Sequence, residues 1–181
     1  IDAESFTITE IGVLTFKVAP DYETKQLYEV IVEVSDGVRS DFQTLAIHIN
    51  DVNEYTPEIT SDGGKDTASL YIYENTYEVT TVTAEDKDIY QILTFEISGG
   101  RDKDDFTIDS TTGILSFITP PDYEKKIEHL VIVKVTDGTN YDTQSIAVNI
   151  LNIDEIAPVI TSDGGGDIAY ITMNENDTYV T

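Results

Sequence analysis

The chain of 181 residues contains no cysteine. That excludes disulfide frameworks, zinc knuckles, thiolate nucleophiles and iron–sulfur clusters at once. An extracellular protein so composed needs another staple. Basic residues are scarce: 10 Lys and Arg stand against 35 Asp and Glu, a formal net charge of −25. Nucleic-acid phosphates and anionic membrane surfaces attract Lys/Arg clusters and repel a chain of this sign, so no nucleic-acid partner is expected. No apolar run of about 18 residues occurs, and no basic stretch leads into an apolar one, so neither a transmembrane helix nor a signal peptide is read here and no direct membrane insertion is expected. What is present is 40% hydrophobic residues with 11 Tyr and 6 Phe, enough apolar material for a core despite the acidity.

The sequence repeats itself. Asp21-Tyr22-Glu23 recurs as Asp122-Tyr123-Glu124, Ser35-Asp36-Gly37 as Thr136-Asp137-Gly138, and Asp51-Val52-Asn53-Glu54 through Pro57 as Asn152-Ile153-Asp154-Glu155 through Pro158, each displaced by 101 residues. Ser61-Asp62-Gly63-Gly64 and Glu74-Asn75 return at Ser162-Asp163-Gly164-Gly165 and Glu175-Asn176. The expected organisation is therefore the rear part of one repeat (1–57), a complete repeat (58–158) and the start of a third (159–181), a piece of a longer array.

Within the full repeat, apolar residues alternate with period two in short runs separated by turn residues, which points to strands. The runs are Leu70–Tyr73, Tyr77–Ala84, Leu93–Ser98, Phe106–Ile108, Ile114–Phe117, Leu130–Thr136 and Gln144–Ile150. Seven strands in about 100 residues fit an all-β, two-sheet antiparallel sandwich with almost no helix. Asp36-Gly37 and Asp137-Gly138 suit hairpin turns, and Asp62 and Asp163 suit turns before glycines. His48 and His129 have no second His for a metal pair and are expected to face solvent.

The carboxylates fall into sets. Ca²⁺ takes six to eight oxygen ligands, which several short acidic motifs can supply jointly. The linkers after each repeat, Asp86-Lys87-Asp88, Asp122-Tyr123-Glu124 and the isolated Glu74 are such motifs. A spacing of two in extended chain points both carboxylates to one side. Glycosidases also use carboxylate pairs, but a catalytic pair has no reason to recur at every repeat boundary, so no enzyme is expected.

The order Glu-Asn, Ala-Glu-Asp-Lys-Asp, Asp-Tyr-Glu, Thr-Asp-Gly, Asp-Val-Asn-Glu-x-x-Pro resembles the cadherin repeat. Leu93–Gly100 and Phe106–Gly113 resemble its bacterial surface-adhesin branch. The resemblance implies a seven-stranded, immunoglobulin-like Greek-key sandwich in tandem, with calcium between successive repeats. Carried over residue by residue, it assigns the first junction to Asp21, Glu23, Asp51, Asn53, Glu54, Asp86, Asp88 and Asp137, with the Val52 and Tyr55 carbonyls as additions. The second junction takes Glu74, Asp122, Glu124, Asn152, Asp154 and Glu155. Glu54 and Glu155 stand where the family has Asp, and Asn152 in place of an Asp lowers the second junction's charge by one unit.

The function implied is a calcium-rigidified stalk or spacer of an extracellular or cell-surface adhesin, whose partners are calcium and the neighbouring repeats. Two other readings stay open. One is a module that grips glycan, protein or a like chain through Tyr71, Tyr73, Tyr77 and Tyr90. The other is a filament subunit in which residues 159–181 add strands to residues 1–57 of a neighbour.

Overall fold

The computed structural model describes residues 1–180. It divides into two units, Ile1–Leu151 and a second one from Asn152 onward. The second contains a single 3₁₀ turn, Ser162–Gly164, and exposed chain.

Among the described residues, the first unit contains every strand. They are β1 (Phe6–Ile8), β2 (Leu14–Phe16), β3 (Leu27–Ser35), β4 (Ser40–His48), β5 (Glu58–Ile59), β6 (Thr67–Tyr73), β7 (Glu78–Thr81), β8 (Ala84–Glu85), β9 (Thr94–Gly99), β10 (Phe106–Ile108), β11 (Ile114–Phe117), β12 (Glu128–Thr136) and β13 (Tyr141–Leu151). Among the described residues the only helices are short 3₁₀ turns, and none is long and apolar enough to cross a membrane. Each run read from the sequence lies on a strand, with the Tyr77–Ala84 run broken into β7 and the start of β8.

Strands β6-β13-β12-β9 form one sheet and β10-β11-β7 another. Between them lies a core of Val82, Phe95, Phe106, Leu115, Phe117, Val131, Val133, Val135, Ile146, Val148 and Ile150. The pairings of β10 with β11 and β12 with β13 recur, in matching register, as β1 with β2 and β3 with β4: Phe106 faces Phe117 as Phe6 faces Phe16, and Val131 faces Ile146 as Val30 faces Leu45.

One pairing departs from the antiparallel expectation. β6 runs parallel to β13, Ser145 opposite Thr67 through Leu151 opposite Tyr73. Its cause lies just upstream. β5 pairs with β8, and the chain then turns at Ser61–Gly63 before entering the four-stranded sheet as β6. Asp62 (φ 52°), Gly63 (φ 92°) and Gly64 (φ 59°) make that turn in left-handed backbone, which glycine tolerates. Asp163 repeats the same geometry, as both turn readings anticipated.

A second departure concerns His129, which is buried rather than solvent-facing. It shares a strand face with Val131, Val133 and Val135. Its Nδ1 lies 2.9 Å from an Asp105 carboxylate oxygen, and its ring packs edge-on against Phe106 and Phe117. Tyr28 occupies the equivalent place against Phe6 and Phe16. His48 is exposed.

Asp102 ties the loop before β10 to β12. It accepts from Lys126 Nζ at 2.6 Å, from the Leu130 N–H at 2.8 Å and from Arg101 Nε at 3.0 Å. Burial pushes its carboxyl up, but the Lys126, Leu130 and Arg101 donors outweigh this and bring it down to about 2. A depressed folded-state value stabilises the fold above the ordinary carboxylate range and loses that effect as pH falls through the depressed value. Asp102→Asn is therefore expected to cost about 2 kcal/mol at pH 7, with wild type and variant converging as pH falls from 3.8 towards 2. Urea denaturation at neutral pH and at the acid end checks both halves.

Candidate metal centre

Four local devices aim carboxylates at the space beside the first linker. In the loop before β3, Asp21 Oδ1 accepts the N–H groups of Glu23 (3.0 Å) and Thr24 (3.2 Å), and Oδ2 accepts the Thr24 hydroxyl. This Asx turn fixes Glu23. In the β12–β13 hairpin, Asp137 Oδ1 accepts from the N–H groups of Thr139 and Asn140 across the turn at Gly138 (φ 97°). After β8, Asp86 Oδ1 accepts the Asp88 N–H at 3.0 Å. The linker itself is clamped: Asp88 Oδ2 accepts the Tyr55 N–H at 2.8 Å, Asn140 Nδ2 donates to the Tyr55 carbonyl at 2.9 Å, and Asp142 Oδ2 accepts the Ile59 N–H at 2.9 Å.

Asp86, Asp88 and Asp137 each spend one oxygen and leave the other unpaired, whereas Asp21 spends both and leaves those of Glu23 unpaired. Among the described residues, Glu23 Oε1 and Oε2, Asp51 Oδ1, Asn53 Oδ1, Asp86 Oδ2, Asp88 Oδ1 and Asp137 Oδ2 are buried without a hydrogen-bond partner. Buried polar atoms are nearly always paired, and a buried carboxylate oxygen without a partner is costly. Carboxylate oxygens of Glu23, Glu54 and Asp88 lie within 4.8 Å of one another. Asp88 is only 3% exposed. Burial, then the charges of Asp51, Glu54 and Asp88, push the Glu23 carboxyl above its ordinary value. Burial also pushes on Asp137, but the Thr139 and Asn140 N–H groups and the Asn53 side chain prevail and lower it.

The donor set is wholly oxygen, with no imidazole or thiolate, which suits a hard cation such as Ca²⁺ rather than a transition metal. Six of the eight residues assigned to the first junction together leave seven buried oxygens unpaired, and of these residues Glu23 and Asp88 meet Glu54 within one ligand-sized cluster. Of the other two, Asp21 has both oxygens engaged in its own turn, and Glu54 is exposed at the edge of the cluster.

A second cluster joins Glu74, Asp122 and Glu124, whose carboxylate oxygens also fall within 4.8 Å of one another. Glu74 is 1% exposed and accepts the Tyr123 N–H at 3.0 Å. Lys125 Nζ sits 2.8 Å from Asp122 Oδ2 and, by that hydrogen bond, holds the Asp122 carboxyl below its ordinary value. Asn152, Asp154 and Glu155 belong to the second unit and are exposed there.

Sequence reasoning missed Asn140 and Asp142, which hold the linker. Their partners lie 85 and 83 residues away, a separation no local motif encodes. Tyr71, Tyr73, Tyr77 and Tyr90 are all exposed.

Residues 68–153 match the model of the cadherin domain family. The chain is 27% identical to human cadherin EGF LAG seven-pass G-type receptor 2 over 95% of its length, and 32% identical to the Drosophila melanogaster protein dachsous over 78%. It spans only 6% and 4% of those relatives. Among solved structures, mouse cadherin-23 EC22-24 superposes with a TM-score of 0.69 at 23% identity, covering 84% of this chain and 51% of that one. Protocadherin gamma B2 extracellular cadherin domains 3–6 superpose with a TM-score of 0.73 at 16% identity, covering 90% and 42%. These relatives are animal cadherins, which corrects the bacterial branch expected from Leu93–Gly100 and Phe106–Gly113. Those stretches coincide with β9 and with β10 and its turn, where packing and turn geometry dictate the residues and leave little lineage signal. Residues 68–153 are thus a cadherin-like repeat, within an all-β chain of cadherin-like fold.

Proposed function

We propose that the chain is a stretch of extracellular or cell-surface adhesion repeats, divided at 57/58 and 158/159, that becomes rigid when calcium is held at the inter-repeat linkers. The observation that carries this reading is the set of seven buried, unpaired oxygens beside residues 51–54. Glu23 from the first repeat, Asp51 and Asn53 from the linker, and Asp86, Asp88 and Asp137 from the second are the residues that would hold the ion, with Glu54 closing the edge. Calcium supplies positive charge that the clustered carboxylates otherwise lack. Without it, like charges at Glu23, Glu54 and Asp88 repel and the linker is free to bend. With them neutralised, the two repeats share one ligand set and keep a fixed angle. Extracellular calcium modules bind at about 10⁻⁴ to 10⁻³ M, matched to calcium outside cells. The second cluster, Glu74, Asp122 and Glu124, is the corresponding acidic set of the complete repeat. Homophilic or glycan contacts through the exposed tyrosines belong to the whole protein and rest on the same extended arrangement.

Calorimetric calcium titration of the chain, with small-angle scattering in calcium and in chelator, is the test. The expected result is millimolar or tighter binding together with a larger maximum dimension in calcium. Binding no tighter in the chain than in an Asp86→Asn, Asp88→Asn double variant, or an unchanged dimension, would sink the reading. Tyr55 lies close enough to Asp21, Glu54, Glu23 and Asp88 for their charges to raise its phenol. Excitation of tyrosine should therefore sensitise Tb³⁺ bound in place of calcium, and Tyr55→Phe should dim that signal.

A further inference from the structure

An equivalent Asp-Tyr-Glu turn stands beside each acidic cluster, and the two turns differ in what meets one Asp oxygen. Asp21-Tyr22-Glu23-Thr24 and Asp122-Tyr123-Glu124-Lys125 occupy equivalent positions before β3 and β12. In both, the backbone N–H three residues on donates to Oδ1 of the Asp at 3.2 Å. At Oδ2 they part. Thr24 Oγ1 donates to Asp21 Oδ2 at 2.9 Å, whereas Lys125 Nζ lies 2.8 Å from Asp122 Oδ2. A neutral hydroxyl in one turn and a full positive charge in the other thus meet the equivalent Asp oxygen.

We infer that this position sets the divalent-cation affinity of its junction: threonine permits tight binding, and Lys125 is a built-in counter-ion that weakens it. The inference rests on the calcium reading above. A cation entering beside Asp122 either displaces the ammonium from Oδ2 or sits next to it, and both routes cost Coulomb energy that Thr24 does not impose. The Lys125 side chain is 82% exposed, so the effect is that of a solvent-screened ion pair, about 1.5- to 5-fold in affinity. As calcium falls, the cluster of Glu74, Asp122 and Glu124 therefore loses its ion before the junction at residues 51–54 does. An array graded in this way has joints that soften in sequence rather than together.

The test swaps the charge rather than the turn. Calcium titrations compare the 181-residue chain with Thr24→Lys, its near-isosteric neutral control Thr24→Met, and Thr24→Ser, which keeps the hydroxyl. Thr24→Lys is expected to bind about 1.5- to 5-fold more weakly than Thr24→Met at the first junction in about 50 mM salt. The gap should close at about 1 M, where the Debye length is about 3 Å. Thr24→Ser should match wild type. In an Asp88→Asn background, which silences the first junction, Lys125→Met should strengthen whatever binding remains. Equal affinities for Thr24→Lys and Thr24→Met, with wild type binding calcium normally, overturn this inference and leave the calcium reading standing. No calcium binding by wild type overturns the calcium reading itself and this inference with it.

Discussion

Asp88→Asn is expected to weaken calcium binding at the first junction about 30-fold or more, while making the calcium-free protein more stable. Both signs come from the same atoms. Asp88 spends Oδ2 on the Tyr55 N–H and presents Oδ1, buried and unpaired, to the cluster. Asparagine keeps an oxygen for Tyr55 and so preserves the linker clamp. It removes the negative charge and turns an amide group towards the cation. Losing one member of a buried charge–charge contact typically costs about 2 kcal/mol or more, which is roughly a 30-fold change in Kd. Without calcium the balance reverses, because the carboxylates of Glu23 and Glu54 then face one like charge fewer. Thermal melts in calcium and in chelator separate the two signs. In chelator the variant should melt above wild type, and at saturating calcium below it. A variant that melts lower in both conditions would show that Asp88 serves the linker clamp alone. Glu23→Gln should behave similarly, since both its oxygens are buried and unpaired and its neighbours Asp51, Glu54 and Asp88 already push its carboxyl up.

Most of the carboxylates grouped beside the first linker were legible in the chain. The displacement of Asp21-Tyr22-Glu23 onto Asp122-Tyr123-Glu124 marked the carboxylates as belonging to a repeating unit, and the alternation at Val131, Val133 and Val135 placed the strand that carries Asp137. The same alternation, followed two residues further upstream, reaches His129, and along β13 it connects Gln144 to Ile146, Val148 and Ile150. Both polar residues are buried. For His129 residue type and strand parity disagree and parity prevails, its ring standing against Phe106 and Phe117 as the Tyr28 ring stands against Phe6 and Phe16. Gln144 shows why a polar side chain can occupy an inward position: its Nε2 donates to the Lys65 carbonyl at 2.9 Å and the Ser61 carbonyl at 3.3 Å, fastening the turn ahead of β6. The parallel pairing of β6 with β13 was not legible. Strand direction relative to a partner about 78 residues away depends on where the Ser61–Gly63 turn sends the chain, and the alternation pattern is the same for either direction. The partners of Asn140 and Asp142 were hidden for the same reason.

Gly113→Ala is expected to lower stability by about 3 kcal/mol or more, whereas Gly12→Ala in the equivalent turn should cost about 1 kcal/mol. The two glycines close the same hairpin, Gly12 between β1 and β2 and Gly113 between β10 and β11, and both have positive φ, 84° and 71°. Alanine at either position incurs the left-handed backbone penalty, offset in part by the freedom it removes from the unfolded chain. What differs is the surroundings. A Cβ on Gly113 would lie 2.1 Å from the Val82 carbonyl oxygen, while nothing lies within 4 Å of one on Gly12. Val82 cannot give way cheaply, because its N–H donates to the Gly113 carbonyl at 2.9 Å and its side chain is 1% exposed in the core. Moving the turn to admit the methyl group therefore breaks the contact that joins the β10–β11 hairpin to the chain after β7. For a domain of about 100 residues, 1 kcal/mol shifts Tm by about 4–8 °C. Melting followed by β-sheet circular dichroism should then show a loss of more than ten degrees for Gly113→Ala and only a few for Gly12→Ala. Equal losses would mean that the turn alone sets the requirement for glycine. Unequal losses would show that the same residue in the same repeat position is held by two different forces, backbone conformation at Gly12 and close approach of a neighbouring carbonyl at Gly113.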